Sequence, residues 1–73
     1  MGKRLTFSEL ERLAKAQNAE AQNELGLRYE LGDGAPKSDR KAVGWYKKAA
    51  KQGYAEAQNN LGVCYEQGKG LIR

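Results

Sequence analysis

One sixteen-residue stretch occurs twice in the 73-residue chain. AEAQNELGLRYELGDG occupies 19–34 and AEAQNNLGVCYEQGKG occupies 55–70, with 11 of 16 positions identical at an offset of 36 residues. Such a period is typical of stacked repeats, because it holds two helices of about 13 residues and two short turns. The chain is therefore predicted to be all-α, built from helical hairpins with about four helices in total.

The first helix of the repeat, helix A, is predicted over 19–31 and again over 55–67. Asn18 can cap the amino end of the first copy, because its side chain accepts from free backbone N–H groups. Gly32 follows the last periodic residue and is a stop signal. The two copies should therefore begin and end at equivalent positions.

The second helix of the repeat, helix B, is predicted over 40–53. The loop before it contains the only proline and two glycines, and Ser38 or Asp39 provides its N-cap. Helix B is expected to end at Gly53, immediately before the second helix A. So short a turn makes the neighbouring helices antiparallel.

A further helix is predicted over 7–17, before the first repeat. Thr6 and Glu9 match a capping box, and Leu5 with Leu10 match a hydrophobic staple. The helix is interpreted as a divergent helix B or a cap. The domain organisation is thus an N-terminal helix, one complete repeat and the first half of a second: 1–18, 19–54 and 55–73.

Both helix types have a face predicted to be buried. Helix B separates on a helical wheel into an apolar half and a basic half. The apolar half comprises Trp45, Ala49, Ala42, Gly53, Tyr46, Ala50, Val43 and Tyr54, and the solvated half comprises Lys47, Arg40, Lys51, Gly44, Lys48, Lys41 and Gln52. The face of helix A that meets helix B comprises Ala21, Gln22, Leu25, Gly26 and Tyr29.

Two glycines recur inside that contact face of helix A. Gly26 and Gly62 are equivalent, and a glycine inside a helix reduces its stability unless close packing requires it. The backbones of two helices are therefore predicted to approach closely at both positions. Gly44, on the solvated face of helix B, has no such explanation.

The opposite face of helix A mixes polar and apolar residues and contains the candidate binding residues. Leu27 and Val63 either pack on a neighbouring unit or line a groove, and the polar residues around them either bind a peptide or are simply solvated. The candidates for binding a protein or peptide are Glu20, Asn23, Leu27, Glu30, Glu56, Asn59, Val63 and Glu66.

The composition argues against catalysis. The chain contains no histidine and one cysteine, so a histidine base, a Cys/His pair and a Cys/His zinc set are all missing. Paired carboxylates could still act as acid and base, but these lie on helices and are interpreted as solvated. Cys64 is interpreted as a half-buried small apolar residue. We expect no enzyme activity, no catalytic residue, no cofactor and no metal ion.

The positive charge is concentrated in one helix. Five basic residues and Asp39 lie within 39–53, and the remaining charges cancel, which leaves the formal net charge of +4 in helix B. A basic face of this kind can bind a nucleic acid or an acidic partner. Nucleic acid is disfavoured, because Trp45 and Tyr46 point inward and cannot stack on bases.

Segments that direct a chain to or across a membrane are not found in this sequence. No run of 18 apolar residues occurs, and the amino end has no apolar stretch of a secretory signal. With a single cysteine, a reducing compartment is the simpler assumption. A cytoplasmic location without membrane contact is therefore expected.

These motifs resemble the Sel1-like repeat, a relative of the tetratricopeptide repeat. AEAQNxLGxxYExGxG followed by DRKAVGWYKKAAKQG contains the features of that family, including Leu-Gly, Gly-x-Gly, Trp-Tyr and Lys-Ala-Ala. The resemblance covers residues 19–70. It implies a right-handed α-solenoid whose A helices line a concave face, acting as an adaptor that binds other proteins.

Fewer than two repeats leave one helix uncovered. Solenoid units bury their apolar faces against neighbours, and about three repeats are usually required. The second helix A would expose Leu61, Val63 and Tyr65 as candidate self-association residues. Either the chain is part of a longer array or copies complete each other as a homo-oligomer, which is the interpretation preferred here.

Overall fold

The chain folds into four helices joined by short turns. In the computed structural model, which describes residues 5–69, the helices are α1 (Phe7–Lys15), α2 (Ala19–Leu31), α3 (Asp39–Lys51) and α4 (Ala55–Gln67). Helix α2 packs between α1 and α3, and α4 packs against α3. The predicted all-α stack of helical hairpins is confirmed, while the ends of the predicted units, at 1–4 and 70–73, lie outside the described residues.

The predicted bounds of both A helices are confirmed, and those of the other two helices were too long. The predicted helix B reached Gly53, but α3 ends at Lys51; the predicted first helix reached Gln17, but α1 ends at Lys15. Gly53 has a φ of 85° and Gln17 a φ of 70°, both in the left-handed region. A right-handed helix cannot continue through such a residue.

The predicted N-caps are present. The capping box of α1 is closed by Glu9 N donating to Thr6 Oγ1 at 3.1 Å and Thr6 N donating to Glu9 Oε1 at 2.8 Å. Asn18 Oδ1 accepts from Ala21 N at 2.9 Å at the start of α2. Ser38, rather than Asp39, caps α3, because Ser38 Oγ accepts from Lys41 N.

The turn after α1 and the turn after α3 have the same hydrogen bonds. Gln17 N donates to Ala14 O and Asn18 N to Leu13 O. At positions 36 residues later, Gly53 N donates to Ala50 O and Tyr54 N to Ala49 O. The sequences of the two turns differ, yet both give the same antiparallel step into the next helix A.

The core lies between α1, α2 and α3. Its largest buried side chains are Tyr46 and Leu25, and Phe7 packs edge-on against Tyr29 with 5.3 Å between ring centroids. The predicted contact face of α2 is buried throughout. The predicted solvated half of α3 is exposed throughout. Of the predicted apolar half of helix B, Ala42, Val43, Tyr46 and Ala49 are buried and Trp45, Ala50 and Tyr54 are half-buried. The prediction is wrong for Gly53, which is exposed because it lies in the turn after α3.

The close approach predicted at the two equivalent glycines occurs at one of them. A Cβ atom on Gly26 would lie 2.7 Å from Tyr46 Cδ1 and 3.1 Å from Ala42 O, so α2 and α3 meet there without room for a side chain. A Cβ on Gly62 would have no described atom within 4 Å. The prediction for Gly62 is wrong in this structure, because no described helix lies over that face of α4.

Helix length also bears on membrane insertion. Among residues 5–69, no helix is long and apolar enough to cross a membrane.

Candidate protein-binding surface

The outward sides of α2 and α4 contain two exposed apolar residues at equivalent positions. Leu27 is 37% exposed and Val63 is 39% exposed, whereas Leu25 is fully buried. Both lie on the side of the helix away from the core-facing stripe. Both side chains are therefore partly open to solvent, where a neighbouring unit or a partner can reach them.

Four of the six polar candidates are exposed, on the same side of their helices as Leu27 and Val63. Glu20 lies on α2, and Glu56, Asn59 and Glu66 lie on α4, all in contact with solvent. We define the binding face as the six exposed candidates: Glu20, Leu27, Glu56, Asn59, Val63 and Glu66.

Asn23 is not part of this face. It is only 6% exposed, and its Oδ1 accepts a hydrogen bond from Asn60 Nδ2 at 3.0 Å. The expectation that Asn23 presents its amide to a partner is therefore corrected: the side chain links α2 to α4. Its equivalent, Asn59, remains exposed.

The Glu30 carboxylate also has hydrogen-bond partners within the molecule. Its Oε1 accepts from Tyr46 Oη at 2.7 Å and its Oε2 from Lys69 Nζ at 3.0 Å. Partial burial opposes ionisation, but these two donors and the Lys69 charge outweigh it and hold the pKa of Glu30 below its usual value. Burial and the same carboxylate raise the pKa of Tyr46. Glu30 thus joins α2, α3 and the end of α4.

An open groove lies between α1 and α2 at the amino end of the stack. We call it the N-terminal groove; it has a volume of about 350 Å³ and is lined by Leu5, Leu10, Leu13, Asn18, Glu20, Ala21, Glu24 and Arg28. The exposed charges on its rim are the carboxylates, because the Arg28 side chain is buried.

Arg28 is a residue that the sequence reasoning missed. Its Nη2 donates to Leu5 O at 2.7 Å and its Nε to Glu24 Oε2 at 3.3 Å, with Asp33 Oδ2 3.8 Å away. A buried guanidinium with these partners connects the start of the chain to α2. The repeat places Arg28 at the same position as Cys64, which is also buried. This equivalence was the one sequence signal that position 28 faces inward.

A second open groove lies between α3 and α4 at the other end. We call it the C-terminal groove; it has a volume of about 560 Å³ and is lined by Gly44, Lys47, Lys48, Ala50, Lys51, Leu61 and Tyr65. Leu61 and Tyr65 were predicted for self-association; Leu61 is half-buried and Tyr65 is 46% exposed. Val63, the third candidate for self-association, does not line this groove.

The side chains with reactive or metal-binding chemistry are Cys64 and the carboxylates. Cys64 is buried rather than half-buried as expected, and burial raises the pKa of its thiol. Within the part of the chain that the structure describes, no group of three His, Cys, Asp or Glu side chains is arranged to hold a metal ion.

The basic face of α3 has little aromatic surface to offer a base. Tyr46 is fully buried, Trp45 is half-buried, and Lys48 Nζ lies 4.7 Å from the centroid of the Trp45 ring. The lysine already occupies the position that a stacking base would require.

Four helices in stacked hairpins with a 36-residue sequence period define an α-helical repeat protein. The Sel1 repeat model matches residues 19–54 and 55–73, and the chain belongs to the Sel1 repeat family. Sel1 repeats are generally protein–protein interaction modules, and the fold is typically a non-catalytic scaffold.

A solved structure supports the same assignment. The crystal structure of c5321, a protective antigen of uropathogenic Escherichia coli strains described as displaying an SLR fold, superimposes with a TM-score of 0.88 and 37% sequence identity. The match covers 93% of this chain but only 15% of that chain. A search of curated proteins returns no match.

Proposed function

We propose that this chain is a non-catalytic adaptor that binds a protein or peptide through the binding face of α2 and α4. The observation that carries this proposal is the exposure of Leu27 and Val63, an apolar pair at equivalent positions on successive A helices. Carboxylates and an amide surround them, so the face combines apolar anchors with a polar rim.

The polar contacts inside the molecule hold this face in place. The Asn23–Asn60 hydrogen bond and the Glu30–Lys69 ion pair both connect α2 with α4 or the turn after it. A preorganised pair of helices loses less conformational freedom on binding than a mobile surface does. The partner is expected to be a helix or extended segment with apolar side chains and basic or amide groups.

The proposal is tested with a peptide library displayed on phage and selected against the wild-type chain. Selected peptides should bind the double variant Leu27→Ser/Val63→Ser at least about tenfold more weakly, because both apolar anchors are removed. Arg40→Ser, on the solvated side of α3, is the matched surface control and should bind as the wild type does. Equal affinity for wild type and double variant would refute the binding face.

The basic face of α3 supports a second, weaker candidate: binding of an acidic partner or nucleic acid. All five basic side chains of this helix are exposed. Binding of a generic duplex through phosphates would weaken steeply with added salt, which a titration by fluorescence anisotropy measures directly. Absence of duplex binding at low salt would remove nucleic acid and leave an acidic protein as the partner of this face.

A further inference from the structure

Helix α4 presents a surface shaped for another helix. On α2, the stripe Ala21, Gln22, Leu25, Gly26 and Tyr29 is buried between α1 and α3, and Gly26 lies directly against Tyr46 of α3. The equivalent stripe on α4 is Ala57, Gln58, Leu61, Gly62 and Tyr65, of which only Ala57 is buried. The stripe on α2 therefore shows what kind of element fits the stripe on α4: a helix that packs as α3 does.

The chain itself carries a second helix of that kind. Helix α1 ends in the same hydrogen-bonded turn as α3. It also contacts the following helix in the same way: Gln22 Nε2 donates to Ala14 O, as Gln58 Nε2 donates to Ala50 O. Helix α1 therefore occupies the helix B position, with one side on α2 and the other side open.

This end of the stack exposes two large apolar side chains. Leu5 and Leu13 are large hydrophobic residues exposed in the N-terminal groove. Counted back from the shared turn, Leu13 stands at the position of the buried Ala49 in α3, whereas Leu5 precedes the N-cap Thr6 and lies outside the helix.

The linings of the two grooves also differ in charge. The exposed charges of the N-terminal groove are those of Glu20 and Glu24, whereas the C-terminal groove is lined by Lys47, Lys48 and Lys51. Surfaces of opposite charge attract, and surfaces of like charge repel. Contact between unlike ends is therefore favoured over contact between two N-terminal or two C-terminal grooves.

We propose that copies of this chain associate head to tail, with α1 of one copy packed into the C-terminal groove of the next, over Leu61 and Tyr65. Such an interface is heterologous, so each added copy leaves one groove free at each end and the assembly grows with concentration. This contact uses the ends of the stack, and of the binding face it involves only Glu20, which also lines the N-terminal groove.

The test uses two variants that each block one end. Leu13→Glu places a charge at the N-terminal end beside carboxylates, and Tyr65→Lys places one at the C-terminal end beside lysines. Sedimentation equilibrium should give a mass that rises with concentration for the wild type and a monomer for each variant alone. An equimolar mixture should form a one-to-one heterodimer and grow no further, because each variant retains the groove that the other needs.

Several results would overturn the head-to-tail contact. One is a wild-type chain that stays monomeric up to high micromolar concentration at low salt. Another is a mixture of the two variants that stays monomeric while the wild type associates, which would indicate contact between like ends or another surface. Circular dichroism verifies folding, and Leu5→Glu with Leu61→Lys is the second pair if either variant unfolds. Leu27→Ser, on the binding face, should leave association unchanged and so separates this test from that of the adaptor function.

Discussion

The two equivalent glycines of α2 and α4 differ in their surroundings and should respond oppositely to substitution. Gly26→Ala forces its Cβ against the Tyr46 ring and should lower the free energy of unfolding by about 1–3 kcal/mol. Gly62→Ala places its Cβ in open space and should raise it by up to about 1 kcal/mol through helix propensity. Urea unfolding of dilute protein measures both, and equal effects at the two sites would contradict the observed packing.

The left-handed residue at the end of α1 offers a second matched pair. Gln17 and Gly53 have similar positive φ angles at equivalent turns, but only Gly53 has the residue type that adopts this conformation without strain. Gln17→Gly should stabilise the fold by about 0.5–1 kcal/mol, the strain relief less the added unfolded-state entropy. Gly53→Gln should destabilise it, and thermal unfolding distinguishes the two. A neutral or destabilising Gln17→Gly would contradict strain at this position.

At the scale of the helices, the hydrogen bond between Tyr46 and Glu30 links α3 to α2. Tyr46 Oη donates to Glu30 Oε1 at 2.7 Å, and hydrogen bonds to charged groups contribute about 1.5–3 kcal/mol. Tyr46→Phe keeps the ring and removes this bond, so it should reduce the free energy of unfolding by that order. The matched control is Tyr65→Phe, which alters an exposed hydroxyl. A loss at Tyr46 no larger than at Tyr65 would contradict this assignment.

The same carboxylate makes the contact between these helices sensitive to acid. The pKa of Glu30 is lower in the folded chain than its ordinary value of 4.5, so its ionised form favours the fold. That contribution is present above about pH 4.5 and is lost as the pH falls through the lowered pKa. Glu30→Gln should therefore flatten the decline of stability in this acidic window, as measured by urea unfolding at several pH values. The control is Glu66→Gln at the equivalent exposed position, and an equally steep decline for both variants would contradict the prediction.

The sequence predicted local features of the helices and missed the contacts between them. The bounds of both A helices, the capping box and the buried stripes follow from neighbours within one or two turns. The burial of Asn23 and the engagement of Glu30 depend on partners 37 and 39 residues away, Asn60 and Lys69. A helical wheel shows which side of one helix is polar, but it carries no information on which second helix lies beside it.

Arg28 illustrates the same limit for a charged residue. Its place on the wheel lies at the edge of the stripe, where a long side chain can turn either way. Burial is decided by Leu5 O, an acceptor 23 residues earlier in the chain. Asn23 and Glu30, two of the eight predicted binding residues, are excluded from the binding face for a related reason. Their side chains already have partners within the molecule.

At the scale of the whole molecule, the extensive contacts are those between consecutive helices. Helix α2 has neighbours on two sides, whereas the side of α4 that a following helix would cover is open. Amide hydrogens of α4 should therefore exchange faster than those of α2 by native-state hydrogen exchange, because local opening of α4 exposes less apolar surface. Equal protection of both helices would indicate a single cooperative unit instead.

This neighbour-to-neighbour arrangement also has a mechanical consequence. If the chain is pulled from its two ends, the load passes through α1, α2, α3 and α4 in series. Among the side-chain contacts of residues 5–69, the Glu30–Lys69 ion pair, from α2 to the turn after α4, then carries load across the longest segment. The molecule should therefore extend first at its carboxyl end, where α4 has one helical neighbour and opening of the Glu30–Lys69 ion pair separates it from α2.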